Sequence, residues 1–257
     1  MTRDALLAMQ RELIAYLATP SAFERLNVSR QDLPAMSGFD LNRLELVGRL
    51  AQGKRMSKLL RILPRTFRYL NRDVGAIARE FAIRHPPRSA EAFPTACQFY
   101  MFLRRTWRTT PPEPSFLPDL AYCELALAGV ARRLSIRQSS VLCKVHSFKG
   151  RALLIRRQRG IHYRRCEHNI QPLFTARQES MASIARRPTF VFLTCPLASG
   201  TARLATVDQD TFEIVVGLRN WTRSSLADGE GDPGAIIDLF RGLEELGVLE
   251  VQLCESA

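Results

Sequence analysis

The chain has 257 residues, of which 46% are hydrophobic and 24% are charged, and its formal net charge is +12. This length suits one large domain or two modest ones, and the hydrophobic content excludes wholesale disorder. No apolar run approaches the roughly 20 residues that a membrane-spanning helix requires, and the N-terminus lacks the apolar region of a signal peptide. We therefore expect a cytoplasmic globular protein.

The charge is distributed unevenly along the chain. Residues 144–188 contain 11 Lys and Arg against 2 Asp and Glu, whereas residues 189–257 contain 4 against 11. Such asymmetry says more about binding partners than about the fold. The six cysteines form no Cys-x-x-Cys pair, which is typical of reduced thiols in a cytoplasmic protein.

The first part of the sequence predicts helices. Residues 3–18 carry an apolar stripe at helical spacing, and residues 19–40 resemble a connection because they contain two prolines and a glycine. Residues 41–135 predict several helices, separated at Gly53, at residues 85–87 and at residues 109–114. This part is interpreted as a helical domain.

Two of these helices have clear start and stop signals. Asp73 is a good N-cap, and proline at positions 86 and 87 ends the helix that follows it. Pro118 and Asp119 open a later helix. The apolar face of the first is predicted from Val74, Ile77, Ala78, Phe81 and Ala82, and that of the second from Leu120, Ala121, Leu127, Ala128 and Ala131.

Glu124 lies near the apolar face of the later helix. A carboxylate in that position must be paired, because burying an unpaired charge costs several kcal/mol or more. Arg65, Arg79 and Arg88 are the candidate partners. We predict a structural ion pair between Glu124 and Arg79 rather than a catalytic carboxylate.

The pattern changes to short strands after residue 142. Residues 151–155 and 161–165 predict a hairpin closed at Gly160. Residues 189–193 and 212–216 are strand-like because they are rich in β-branched and aromatic side chains. A last helix should begin at Asp232 and end at Gly247, followed by a strand over residues 248–253. Its predicted buried stripe consists of Ile236, Ile237, Leu239, Phe240, Leu243 and Leu246.

The sequence thus predicts an α+β fold with two domains. Residues 1–140 form a helical domain, and residues 141–257 form a small α/β module compatible with a winged-helix-like peptide-recognition element. Modules of this kind bind by adding a peptide strand to a free sheet edge.

A possible metal set lies in the basic part of the chain. Cys143, His146, His162, Cys166 and His168 supply ligand types that zinc or iron accepts. Their spacing does not match a zinc knuckle, and the surrounding cations oppose metal binding, so buried thiols and solvated histidines are the favoured interpretation. No nucleophile elbow or phosphate-binding loop is present, and independent catalysis is not expected.

Four segments of the helical part together form a recognisable set. They are Leu-Pro-Arg-Thr at 63–66, Ala-Arg-Glu-Phe at 78–81, Pro-Pro-Arg-Ser at 86–89, and Leu-Pro-Asp-Leu-Ala at 117–121 followed by Glu124. In this order and spacing, the set resembles the helical domain of partner subunits of iron-dependent TIM-barrel enzymes. Those enzymes modify cysteine residues of ribosomally made peptides. The likeness covers roughly the middle third of the chain.

This resemblance implies a non-catalytic subunit that binds a precursor peptide and docks on a TIM-barrel iron enzyme. The iron belongs to the partner, and no cofactor is expected in this chain. Arg156, Arg157, Arg164 and Arg165 are the predicted contacts to an acidic peptide. The apolar run of Phe116, Leu117 and Pro118 is the predicted partner interface.

Three alternatives remain open at this point. The basic stretch could be a solvated face without a ligand, or the chain could be a DNA-binding regulator. The acidic character of the last helix opposes DNA binding, because a recognition helix carries the opposite charge. A metal-dependent enzyme in its own right is the third possibility.

Overall fold

The computed structural model describes residues 41–70, 74–87, 89–134, 153–175, 184–196, 200–224 and 233–253. The fold is mixed α+β with small antiparallel sheets, as the sequence predicts. By internal contacts the chain divides into two compact units, Met1–Ala121 and Tyr122–Ala257. The predicted helix at 3–18, the predicted boundary at 140/141 and the predicted caps Asp73 and Asp232 lie outside the described residues.

The described part of the first unit is helical. The helices that lie wholly within it are α1 (Leu41–Ile62), α2 (Pro64–Leu70), α3 (Val74–Arg84) and α4 (Ala92–Thr109). Helix α5 (Leu117–Leu134) contains the division between the units. No helix in the described ranges has the length and apolarity to cross a membrane.

Helix α1 continues through Gly53, so the predicted break at this residue is wrong. A glycine inside a helix costs only about 1 kcal/mol relative to alanine, and 22 residues of regular hydrogen bonding outweigh that cost. The real break comes at Leu63, after which Pro64 is the first residue of α2. A proline is tolerated there because the first N–H groups of a helix have no partner within it.

The core of the first unit is aromatic. Phe81 is fully buried, and its ring contacts those of Phe99 and Phe102 at centroid distances of 5.0 and 5.6 Å. Phe67 stacks on Phe99 at 5.2 Å. Helix α3 ends before residues 85–87 as predicted, and Phe81 is its one buried residue.

Helix α5 begins at the predicted position, with Asp119 in its first turn. Leu120 and Ala121 are buried as predicted. Ala131 is exposed, so its predicted inward orientation is wrong. It lies in the last turn of the helix, beside the exposed Arg132 and Arg133.

The second unit contains two three-stranded antiparallel sheets. Sheet 1 has the order β5-β1-β6 and sheet 2 has the order β2-β3-β4. The strands are β1 (Leu153–Arg157), β2 (His162–Cys166), β3 (Thr189–Thr194), β4 (Arg203–Val207), β5 (Thr222–Ser224) and β6 (Leu249–Leu253). The helices are α6 (Pro172–Thr175), α7 (Gln209–Gly217) and α8 (Pro233–Glu245).

The predicted hairpin at Gly160 is wrong, because β1 and β2 belong to different sheets. Gly160 does adopt a positive φ of 89°, so the chain turns where predicted. However, β1 pairs with β6 along its full length and with β5 on its other side, which leaves no edge for β2. Strand β2 pairs with β3 instead.

The strand predicted at 212–216 is also wrong, because these residues form most of α7. The Asp208 carboxylate accepts hydrogen bonds from the backbone N–H and the hydroxyl of Thr211, at 2.8 Å each. This N-cap fixes the first turn. It outweighs the β-branched content of the segment, which is a weaker signal that depends on context.

The end of the chain follows the prediction closely. Helix α8 is followed by Gly247 at φ +70° and then by β6. Residues of both sheets, α7 and α8 share one core, formed by Ile155, Phe192, Val215, Phe240, Leu243, Val248, Leu249 and Val251. Leu239 is 43% exposed, so its place in the predicted buried stripe is wrong.

Candidate functional site

A groove in the second unit lies beside a strand edge. It has a volume of about 460 Å³ and runs between the end of β4, the first turn of α7 and one face of α8. Strand β4 pairs with β3 on one side, and no described strand pairs with its other side. The lining residues are Thr206, Val207, Asp208, Thr211, Asp238, Leu239, Gly242, Leu243 and Leu246.

Part of the α8 wall of the groove is apolar and has open space. Leu239 projects into solvent, whereas Leu243 is buried behind it. Gly242 lies between them in the helix, and a Cβ placed there would meet no atom within 4 Å. This wall therefore offers a leucine surface next to a shallow recess, which suits an apolar side chain of a bound polypeptide.

The rim of the groove is acidic. Asp208 is exposed, and its hydrogen bonds from the backbone and then the hydroxyl of Thr211 lower the pKa of its carboxyl. Asp238 is paired with Arg241 at 3.2 Å on the exposed side of α8. The groove therefore favours a neutral or basic segment over an acidic one.

Two of the four predicted peptide-binding arginines are engaged within the chain. Arg156 donates from Nε and Nη2 to the carboxylate of Glu250, and its guanidinium lies 4.4 Å from the centroid of the Trp221 ring. Arg157 donates to the carbonyl of Val216 at 2.8 Å. Both side chains link β1 to its neighbours, so their first role is structural.

The other two predicted arginines lie on β2. Arg164 is half-buried and stacks 4.6 Å above the ring of Tyr122. Arg165 is exposed, with its guanidinium 6.0 Å from the centroid of Phe190. The structure thus separates the four residues by sheet and by exposure, and Arg165 is the one exposed residue among them.

The residues of the possible metal set are only partly described. Cys143 and His146 lie outside the described residues. Cys166 and His168 are buried, and burial, with a smaller contribution from Arg133, lowers the pKa of His162. Within the described ranges no three Cys, His, Asp or Glu side chains come together.

The predicted partner interface is largely core. Phe116 and Leu117 are buried, and Phe116 packs edge-on against Tyr69 at 5.2 Å. Pro118 is half-buried. The apolar excess inferred from the sequence is therefore absorbed by the chain itself at Phe116 and Leu117.

The two residues of the predicted ion pair have different environments. Glu124 is buried, as the sequence argument requires. Arg79 is exposed, and its Nε donates to the carbonyl of Gly75 at 3.3 Å. The pair between them stays a prediction.

Sequence reasoning missed the groove. A signal was present in α8, because Leu239, Gly242, Leu243 and Leu246 follow helical spacing and a glycine in the middle of such a stripe indicates a recess. The other wall could not be found in this way, because it depends on β4 being an edge strand. Comparison with protein-family models finds no match to this chain, and comparison with curated proteins finds no similar sequence.

Proposed function

We propose that this chain is a non-catalytic subunit that binds a ribosomally made precursor peptide. It presents the cysteine-containing end of that peptide to an iron-dependent TIM-barrel enzyme. The resemblance of the four helical segments supports the choice of partner. The observation that carries peptide binding is the edge of β4, beside the groove, with which no described strand pairs.

The proposed binding mode is addition of a peptide strand to β4. An unpaired strand edge offers backbone N–H and C=O groups, and a peptide that pairs with them gains affinity without regard to its sequence. The recess at Gly242 and the exposed side of Leu239 then select an apolar side chain. In this reading the second unit is the winged-helix-like recognition module.

The catalytic contribution of the chain is positional. Iron in the partner enzyme supplies the oxidative chemistry, and this chain holds one part of the peptide so that the other part stays near the metal. Holding the peptide in this way raises its effective concentration at the partner's active site. The modified end need not contact this chain.

The acidic rim revises which part of the peptide meets the groove. Asp208 repels acidic residues, whereas Arg241 neutralises Asp238, so a neutral or basic apolar segment is favoured beside Asp208. Acidic residues of the same peptide are left to meet Arg165, the accessible member of the predicted four. The peptide is thus expected to carry both kinds of segment.

The direct test fills the groove. In Gly242→Phe the new side chain has open space around its Cβ, so it occupies the recess without a clash at its base. We expect a labelled precursor peptide to bind Gly242→Phe at least tenfold more weakly than the wild type by fluorescence anisotropy. The chain should also form a one-to-one complex with the barrel enzyme on co-expression.

The matched control is Gly75→Phe, because Gly75 is a helical glycine with equally open surroundings on α3. Unchanged peptide affinity in Gly242→Phe, or an equal loss in the control, would contradict the proposed groove. A regulator of transcription would instead bind duplex DNA with a steep dependence of affinity on salt.

A further inference from the structure

Arg55 on α1 is a buried cation whose hydrogen-bond donors are unused. Its side chain is 7% exposed, and its Nε, Nη1 and Nη2 atoms are all closed off from solvent without a hydrogen-bond partner. These three are the only buried side-chain nitrogen or oxygen atoms in the described ranges that lack a partner. Arg55 belongs to the first unit, whereas the groove is formed by residues of the second.

The guanidinium is held against an aromatic ring. Its Cζ lies 4.2 Å from the centroid of Phe81, whose ring also contacts His85, Phe99 and Phe102. This contact stabilises the positive charge through the ring face. It leaves the N–H groups unsatisfied, because they point outward in the plane of the guanidinium.

Burial lowers the pKa of Arg55 to about 10, so the group is still charged at neutral pH. An unpaired charge inside a protein destabilises the fold. A native structure therefore keeps a buried charge where a counterion can pair with it. Lys58, three residues further along α1, cannot neutralise Arg55, because its side chain is also a cation. Its amine donates a hydrogen bond to the carbonyl of Ala90 at 2.6 Å.

We propose that Arg55 is the receptor for one carboxylate. A planar guanidinium with free in-plane donors matches a planar carboxylate, which accepts two parallel hydrogen bonds. A singly charged anion neutralises the single buried cation, whereas a phosphate dianion would leave net charge among aromatic side chains. Because the nitrogens are sealed from solvent, the carboxylate enters when neighbouring side chains move aside.

The carboxylate has two possible sources, a free small acid and an acidic side chain of a polypeptide. The experiment measures the thermal unfolding midpoint of the full chain with three probes at equal ionic strength. They are acetate, the capped peptide acetyl-Gly-Glu-Gly-amide and its Gln counterpart. We expect a rise of at least about 3 °C at saturation with acetate, with the Glu peptide, or with both, and none with the Gln peptide.

The variants assign the effect to Arg55. Arg55→Met should abolish the response while leaving the ligand-free midpoint unchanged or higher, because it removes an unpaired charge and keeps an apolar side chain. Arg55→Lys keeps the charge without the planar donors, and its affinity for the carboxylate should fall at least tenfold. Arg61→Met, an exposed position of the same helix, is the control and should respond like the wild type.

Three results would overturn the assignment. They are the absence of a response to both acetate and the Glu peptide, a full response retained in Arg55→Met, and an equal loss in the Arg61→Met control. A response to acetate alone identifies a site for free small acids. A response to the Glu peptide alone identifies a polypeptide source.

Discussion

The basic strands β1 and β2 differ from the groove between β4 and α8 in how many of their polar and apolar groups already have partners within the chain. On β1, Arg156 is bonded to Glu250 and stacked on Trp221, and Arg157 is bonded to a backbone carbonyl. The groove has a strand edge with which no strand of the described ranges pairs, an open recess at Gly242 and an exposed Leu239. The proposed peptide site therefore lies where groups are still available rather than where the charge is densest.

Breaking the pair of Arg156 and Glu250 has the largest expected effect, and it tests whether the basic residues of β1 are structural. Arg156→Glu would place two carboxylates opposite each other in a partly buried site and remove the stacking on Trp221. We expect the free energy of unfolding to fall by about 2–3 kcal/mol in urea denaturation. Arg165→Glu, at the exposed position of β2, should change the free energy of unfolding by less than about 0.5 kcal/mol. Equal losses in both variants would mean that Arg156 has no special structural role.

Substitutions at Arg164 and Arg165 test how much of the basic surface is available to a peptide. The double Glu variant should weaken binding of the precursor peptide less than tenfold, because Arg165 is the exposed member and an exposed pair contributes roughly 0.2–1 kcal/mol. The loss should diminish as salt is raised. This pair replaces a test on all four arginines, since changing Arg156 and Arg157 would disturb the fold itself. A loss larger than that of Gly242→Phe would move the binding site to β2.

Asp208, which caps α7 on the rim of the groove, gives the smallest expected effect. Hydrogen bonds from Thr211 lower the pKa of this carboxyl, so its charged form is stabilised in the folded state. Its contribution is present above the unfolded pKa, near 3.9, and is lost as the pH falls through the lower folded value. Asp208→Ala should therefore be less stable than the wild type at neutral pH, and the difference should vanish in acid.

A pH-independent difference between Asp208→Ala and the wild type would contradict this assignment. In that case the carboxylate charge would not contribute to the cap. Chemical denaturation across the acidic range makes this measurement directly.

Local signals in the sequence predict elements well where capping and periodicity agree. Helix α8 is predicted because a proline at its start, a glycine after its end and its apolar periodicity all indicate a helix. Strand β3 is predicted because its β-branched content indicates a strand and no capping signal contradicts it. The segment at 212–216 fails because β-branched content disagrees with the Asp208 cap, which decides the structure. A search for N-caps before strands would have found α7.

Strand pairing is the part that the sequence conceals. Arg156 and Glu250 are 94 positions apart, yet they are partners in adjacent strands. The short separation of β1 and β2 predicts a hairpin, but the long-range pairing of β1 with β6 is the one formed. The edge position of β4, and with it the groove, follows from such pairings and could not be predicted from local patterns.

Hydrogen exchange tests the central claim most directly, because it reports which backbone amides become protected. With the precursor peptide bound, the alternate amides of Arg203–Val207 in β4 that point away from β3 should exchange at least about tenfold more slowly, and the amides of Leu153–Arg157 in β1 should not change. Protection confined to the basic strands β1 and β2, or no change in β4 while anisotropy shows the peptide bound, would contradict peptide addition at this edge.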